Sequence, residues 1–172
     1  MMNLDFDATQ IATIYNGGSS EVRAMIKEKL GDQFSTVLPI TSRVKDFDSA
    51  YAELGDDHPR CNEYRSAKYG YSSIADNKEL MAFYQLRVII AALNEGKEPR
   101  YDEIEERCYP DIVYNEDDEL KCWVEVKYEQ GRKTSHPKGL ALLDREHALY
   151  AGETFMDLYN ALYLGIVTED NK

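Results

Sequence analysis

Asp76-Asn77-Lys78-Glu79-Leu80-Met81-Ala82-Phe83-Tyr84-Gln85-Leu86-Arg87-Val88-Ile89-Ile90-Ala91-Ala92-Leu93-Asn94-Glu95-Gly96 is the stretch on which the fold turns. Asp76 followed by Glu79 has the spacing of a capping box, with Asp in the capping place. Behind it Phe83, Leu86, Ile90 and Leu93 recur by threes and fours along one stripe, with Tyr84, Val88 and Ala91 beside it. A helix that is apolar on nearly every side must be covered on nearly every side, so residues 78–95 are expected to form the central buried helix. Asn94-Glu95-Gly96 ends it, and Pro99 prevents it from resuming because proline has no amide hydrogen to donate.

Beyond Pro99 the period changes from helical to two. Cys122, Val124, Val126 and Tyr128 alternate with Trp123, Glu125 and Lys127, and Ile112-Val113-Tyr114 is an earlier extended run. The acidic run Asn115-Glu116-Asp117-Asp118-Glu119 supplies the bend, giving a hairpin over 107–128 with 140–143 as a candidate third strand. Asp144 then caps a last helix over 144–164, whose Ala148, Ala151, Phe155, Leu158 and Leu162 share one face.

Upstream, 7–55 reads as helical. Asp7 with Gln10 caps a short helix carrying Ile11, Ile14 and Tyr15, and Ser19 or Ser20 opens a second with Val22, Met25, Ile26 and Leu30, stopped by Gly31. Asp46 begins a third with Phe47, Ala50, Tyr51 and Leu54, stopped by Gly55. Residues 56–77 hold Pro59, Gly70 and scattered polar positions without a clear period, and read as a long loop. The expected fold class is therefore α+β in one domain spanning 1–172, with helices packed on a small antiparallel sheet.

Composition narrows the function classes. With 32 acidic against 20 basic side chains the chain carries a formal charge of -12, which repels a phosphate backbone and disfavours direct nucleic-acid binding. Cys61, Cys108 and Cys122 form an odd set with no disulfide framework, and no N-terminal stretch resembles a signal peptide, so a reducing cytoplasm is expected. The longest uncharged apolar run, 88–93, is far too short to cross a bilayer, so no membrane partner is expected.

The order of several blocks is familiar. Ile11-Ala12-Thr13-Ile14-Tyr15, Ile40-Thr41-Ser42-Arg43-Val44-Lys45-Asp46-Phe47, the 83–96 segment and Tyr150-Ala151-Gly152-Glu153-Thr154-Phe155-Met156-Asp157-Leu158-Tyr159 resemble a family of small hypothetical proteins common in Bacteroides and related bacteria, their phages and mobile elements. The resemblance runs from about residue 9 to residue 163 and its last block is the most specific. It departs in the middle, where this chain has Lys97, Arg100-Tyr101 and Arg107-Cys108-Tyr109-Pro110-Asp111 in place of a more aromatic text. The resemblance implies the scaffold and a phage or mobile-element origin, hence location in the cytoplasm or in a virion, and it lends no catalytic residues.

One catalytic pattern is present. Pro110-Asp111, then Glu125-Val126-Lys127 on the next strand, looks like the signature of PD-(D/E)xK nucleases, in which Asp111 and Glu125 would hold Mg or Mn through oxygen and Lys127 would orient water. Glu79 or Glu95 would be the further carboxylate. Against it, Glu-x-Lys on the solvent side of a strand is an ordinary salt-bridged pattern, and the chain is acidic without a basic groove. His58 and Cys61 have spacing for half a zinc site with Cys108 and Cys122, but these last two are far apart in sequence. No other cofactor is implied, and His136 and His147 have no neighbouring nucleophile.

The 13 tyrosines are the remaining oddity. Tyr64, Tyr69, Tyr71, Tyr101, Tyr109 and Trp123 fall in or near the expected loop and hairpin, where a rigid ring with a polar tip suits contact with another protein. The sequence therefore favours a non-enzymatic accessory protein that binds a protein, as a virion-associated component or as an inhibitor of a host system, over the nuclease.

Overall fold

The computed structural model describes residues 6–70, 72–99, 105–114, 120–129 and 139–164. Its elements are α1 (Ala8–Gly17), α2 (Ser20–Leu30), a 3-10 turn (Gly31–Gln33), α3 (Phe34–Val37), α4 (Ile40–Arg43), α5 (Phe47–Leu54), α6 (Pro59–Gly70), α7 (Ser72–Ala75), α8 (Lys78–Leu93), β1 (Glu105–Tyr114), β2 (Leu120–Glu129), α9 (Arg145–Thr154) and α10 (Met156–Leu164). The class is α+β: helices with a two-stranded antiparallel sheet. Helix α9 packs on the sheet and α10 touches its first strand, while the central helix α8 packs on other helices and not, as expected, on the sheet.

Helix α8 is the axis of the helical side. Leu86, Val88, Ile89, Ile90, Ala92 and Leu93 are all buried, and α5, α6 and α10 pack along it. Each fully buried aliphatic side chain contributes about 1.5–3 kcal/mol relative to exposure, so coverage on all sides from Val88 to Leu93 stabilises α8 far beyond its own propensity, whereas its first turn is exposed. Its cap is Asn77, whose side chain accepts the Leu80 amide at 3.0 Å; Asp76 is a turn residue one position early. The expected capping box at Asp76 is thereby corrected.

The long loop expected over 56–77 is also corrected, because most of it is helical. Pro59 opens α6 at the position where its missing amide costs nothing, and Cys61, Tyr64 and Ala67 turn one narrow face to the core. Tyr71 lies outside the described residues.

The last helix is broken in two. Phe155 leaves helical geometry between α9 and α10 while its amide still bonds the Ala151 carbonyl at 2.9 Å and its ring is buried. Helix α9 lies on both strands, and Gly152 is the point of closest approach: a β-carbon there would fall on the Cys122 sulfur and within 3.0 Å of Pro110 Cβ.

The expected third strand is a single bridge. Cys108 and Leu142 exchange both backbone hydrogen bonds at 2.9 Å, and Leu140, Ala141 and Leu142 are wholly buried. The other side of that segment is paired by a side chain. Asn94 Nδ2 donates to the Ala141 carbonyl and Asn94 Oδ1 accepts the Leu143 amide, each at 3.0 Å, so the end of α8 stands in for a neighbouring strand.

A polar knot fastens the N-terminal helices. Arg43, 3% exposed, donates to the Leu38 carbonyl, to Glu53 and to Glu95, and lies over the Phe34 ring. Glu53 also accepts from Tyr15 Oη at 2.7 Å and from Lys27 at 3.1 Å. Burial, then that bond to Glu53, holds the Tyr15 phenol well above its ordinary value.

Candidate functional site

Register decides how the catalytic pattern lies. Asp111 pairs with Trp123, Tyr109 with Glu125 and Arg107 with Lys127, so these six positions share one face of the hairpin. Asp111 and Glu125 are diagonal neighbours on it, at a typical Cα separation of about 7 Å. Between and beside them Tyr109 and Arg107 are buried, at 1% and 0% exposure, whereas Asp111, Trp123 and Glu125 are exposed. The Lys127 side chain lies outside the described set, and so does Tyr101.

The charge of Asp111 is felt by the residues around it. With burial as the larger cause, it helps push the Tyr163 phenol up to about 12, and with burial and Glu153 it helps push the Cys122 thiol up to about 11. The proposed further carboxylates are elsewhere: Glu79 is in the first turn of α8 and Glu95 is held by Arg43. Among the described residues no group of three His, Cys, Asp or Glu side chains is placed to share a cation. Cys61 and Cys108 are core residues whose thiols burial raises to about 11, and His58 Nδ1 accepts the Arg60 amide at 3.2 Å.

The tyrosines behave differently. Tyr64 and Tyr69, both on α6, come together with Phe47 and Tyr51 of α5 and with Phe155 in an open cleft of about 1120 Å³. Such a volume sits above the roughly 300–1,000 Å³ of ordinary small-molecule pockets and suits a larger occupant. Phe47 packs on Tyr64 with ring centroids 4.6 Å apart, and Tyr51 on Tyr64 at 6.4 Å. Tyr64 and Phe155 are buried in the floor, while Tyr69 stands 76% exposed at the rim.

Cations ring these aromatics. Lys45, Arg65, Lys68 and Lys78 line the cleft, opposed by Asp46, Asp48 and Asp157. The Lys68 ammonium lies 5.6 Å from the Tyr64 centroid and 5.4 Å from that of Tyr69, and the Tyr64 hydroxyl is the main group holding its pKa above the lysine value. Lys45 lies 5.5 Å from the Tyr150 centroid, and Tyr150 Oη donates to the Val44 carbonyl at 2.6 Å, which pins α9 beside the entry to α5. Tyr51 donates to Asp56 at 3.0 Å, and burial followed by this bond raises its pKa.

Of the contact residues read from the sequence, the structure thus gathers Tyr64 and Tyr69, and separates Tyr109, buried in β1, and Trp123, exposed at 62% on β2. Phe47, Lys45, Lys68 and Lys78 were not read from the sequence as contact residues. Their only signal was local, a helix cap and a helix end rich in aromatic and basic residues. No protein-family model, curated protein or solved structure matches the chain.

Proposed function

We propose that this chain is a non-enzymatic accessory protein that works by binding another protein through the cleft between α5, α6, α8 and the joint of α9 with α10. The observation that carries the reading is the meeting of Tyr64, Tyr69, Phe47 and Tyr51 with Lys45 and Lys68 in one open trough. Aromatic side chains bury large area at little entropic cost, and their enrichment is a mark of interfaces. The sequence resemblance supports an origin in a phage or mobile element and a role as a virion-associated component or as an inhibitor of a host system. Among the described residues no helix is long and apolar enough to cross a membrane.

The test is affinity capture from a lysate of the native host with wild-type protein and Tyr69→Ala side by side. A protein retained by the first and lost from the second supports the reading. Equal retention removes the cleft from it.

A second reading, a metal-dependent nuclease, is favoured by one observation: Asp111 and Glu125 share a hairpin face. Its test is cleavage of DNA and RNA in magnesium or manganese beside Glu125→Ala. Cleavage by wild type that the variant lacks would replace the binding reading.

A further inference from the structure

We propose that the occupant of the cleft is an acidic segment of another protein, with an apolar side chain seated on Tyr64 and Phe155 and carboxylates on Lys45, Lys68 and Lys78. This rests on the reading of the chain as a binding protein and adds the chemistry of its partner.

Unspent positive charge is the first argument. The chain has an excess of twelve acidic groups, the difference between 32 and 20, yet Lys45, Lys68 and Lys78 have no carboxylate partner among the described residues. Arg65, by contrast, is occupied by the Asp56 carbonyl at 3.0 Å and by Asn62. Lys45 and Lys68 are held over ring faces, which fixes where their ammonium groups stand and leaves donors to offer.

The backbone adds to the same sign. Residues of the cap and first turn of α5 (Asp46, Phe47), of α8 (Lys78, Met81) and of α10 (Asp157) all line the cleft, so the positive ends of these helices meet there. The opposing aspartates are in those turns, where the amide dipoles offset part of their charge, and Asp46 accepts the Ser49 amide at 2.7 Å. The end of α6 that faces the cleft carries Lys68 in its last turn.

A peptide fits better than a nucleic acid. Asp46, Asp48 and Asp157 would meet the unbroken phosphate charge of a polynucleotide, whereas a peptide can set neutral residues opposite them and acidic residues opposite the lysines. The buried floor of Tyr64, Phe155 and Ala161 offers a seat to an apolar side chain that a phosphate backbone does not bring.

Selection from a random peptide display library on the full chain tests this. Selected peptides, remade with a fluorescein label, are titrated by anisotropy against wild type, Tyr69→Ala and a Lys45→Glu/Lys68→Glu/Lys78→Glu variant, each checked for folding by circular dichroism. The expected winners carry Asp or Glu interspersed with large apolar residues, and the lysine variant weakens them by about tenfold or more, as does added salt. Neutral or basic winners, no winners, or winners indifferent to the lysines would overturn the proposal. So would a labelled single-stranded oligonucleotide that binds tighter than any peptide with the same lysine dependence. If non-acidic winners still require Tyr69, only the chemistry of the occupant is wrong; if capture of the host protein ignores Tyr69→Ala, the cleft is not where that protein binds, and this proposal falls with it.

Discussion

Lys68 holds its ammonium 5.4 Å from the ring centroid of Tyr69, a tyrosine left 76% exposed at the end of α6. The pair contributes little to folding, since an exposed cation over a ring is worth about 0.5–1 kcal/mol. Its cost to stability on removal is small, and its cost to contact is not. Tyr69→Ala is expected to shift the urea midpoint by the equivalent of about 1 kcal/mol or less while abolishing capture of the partner. A large loss of stability would mean that the ring is structural.

Asn94 is expected to matter for the opposite reason. Asn94→Ala leaves the buried Ala141 carbonyl and the Leu143 amide without their partner, at a cost of about 2–4 kcal/mol by urea unfolding. Asn94→Asp keeps the acceptor, loses the donor to Ala141 and buries a charge, so it is expected to be no better. A cost near zero would show that the 140–142 segment is held by Cys108 alone.

The buried knot and the surface pairs separate by magnitude. Arg43→Leu leaves Glu53, whose side chain is 10% exposed, without its buried guanidinium and is expected to cost about 3–5 kcal/mol. Arg60→Ala, which releases the more exposed Glu98 and leaves Glu63 to Arg87, is expected to cost less than about 1 kcal/mol beyond its packing. Equal effects would contradict the placement of Arg43.

How much of this the sequence disclosed follows distance along the chain. The caps at Asp7, Ser19, Asp46 and Asp144 and the stops at Gly31 and Gly55 are local hydrogen-bond patterns, and all were legible. Helix α6 was hidden because Pro59 reads as a breaker when it is in fact a first-turn residue, and because its buried face is only Cys61, Tyr64 and Ala67. The break at Phe155 was hidden because its ring keeps the helical stripe going while its backbone does not. The cleft could not be read at all: it is assembled from side chains between Lys45 and Ala161, and no period in the sequence encodes that meeting.

Gly152 is expected to be intolerant. Gly152→Ala drives a methyl into Cys122 and Pro110 and is expected to destabilise by about 1–3 kcal/mol, and Cys122→Ala in the same chain is expected to restore part of the loss. Additive effects in that double-mutant cycle would show that α9 does not press on β2 at this point.

Alkaline pH is expected to destabilise the protein. Burial raises the thiols of Cys61, Cys108 and Cys122 from 9.0 to about 11, and Tyr15 and Tyr159 are raised as well. The folded state then keeps protons that the unfolded state gives up, so stability is complete below pH 9.0 and declines as pH climbs through about 11. A urea midpoint that is flat across this window would contradict the burial of these groups.

The most direct measurement of the central claim is a photo-crosslink in the native host, with a benzophenone amino acid placed at Tyr69 in the cleft or at Met25, 50% exposed on α2, as the control. The account predicts a discrete protein adduct from position 69 and none from position 25. An adduct from 25 alone, equal adducts from both, or none from 69 would contradict it.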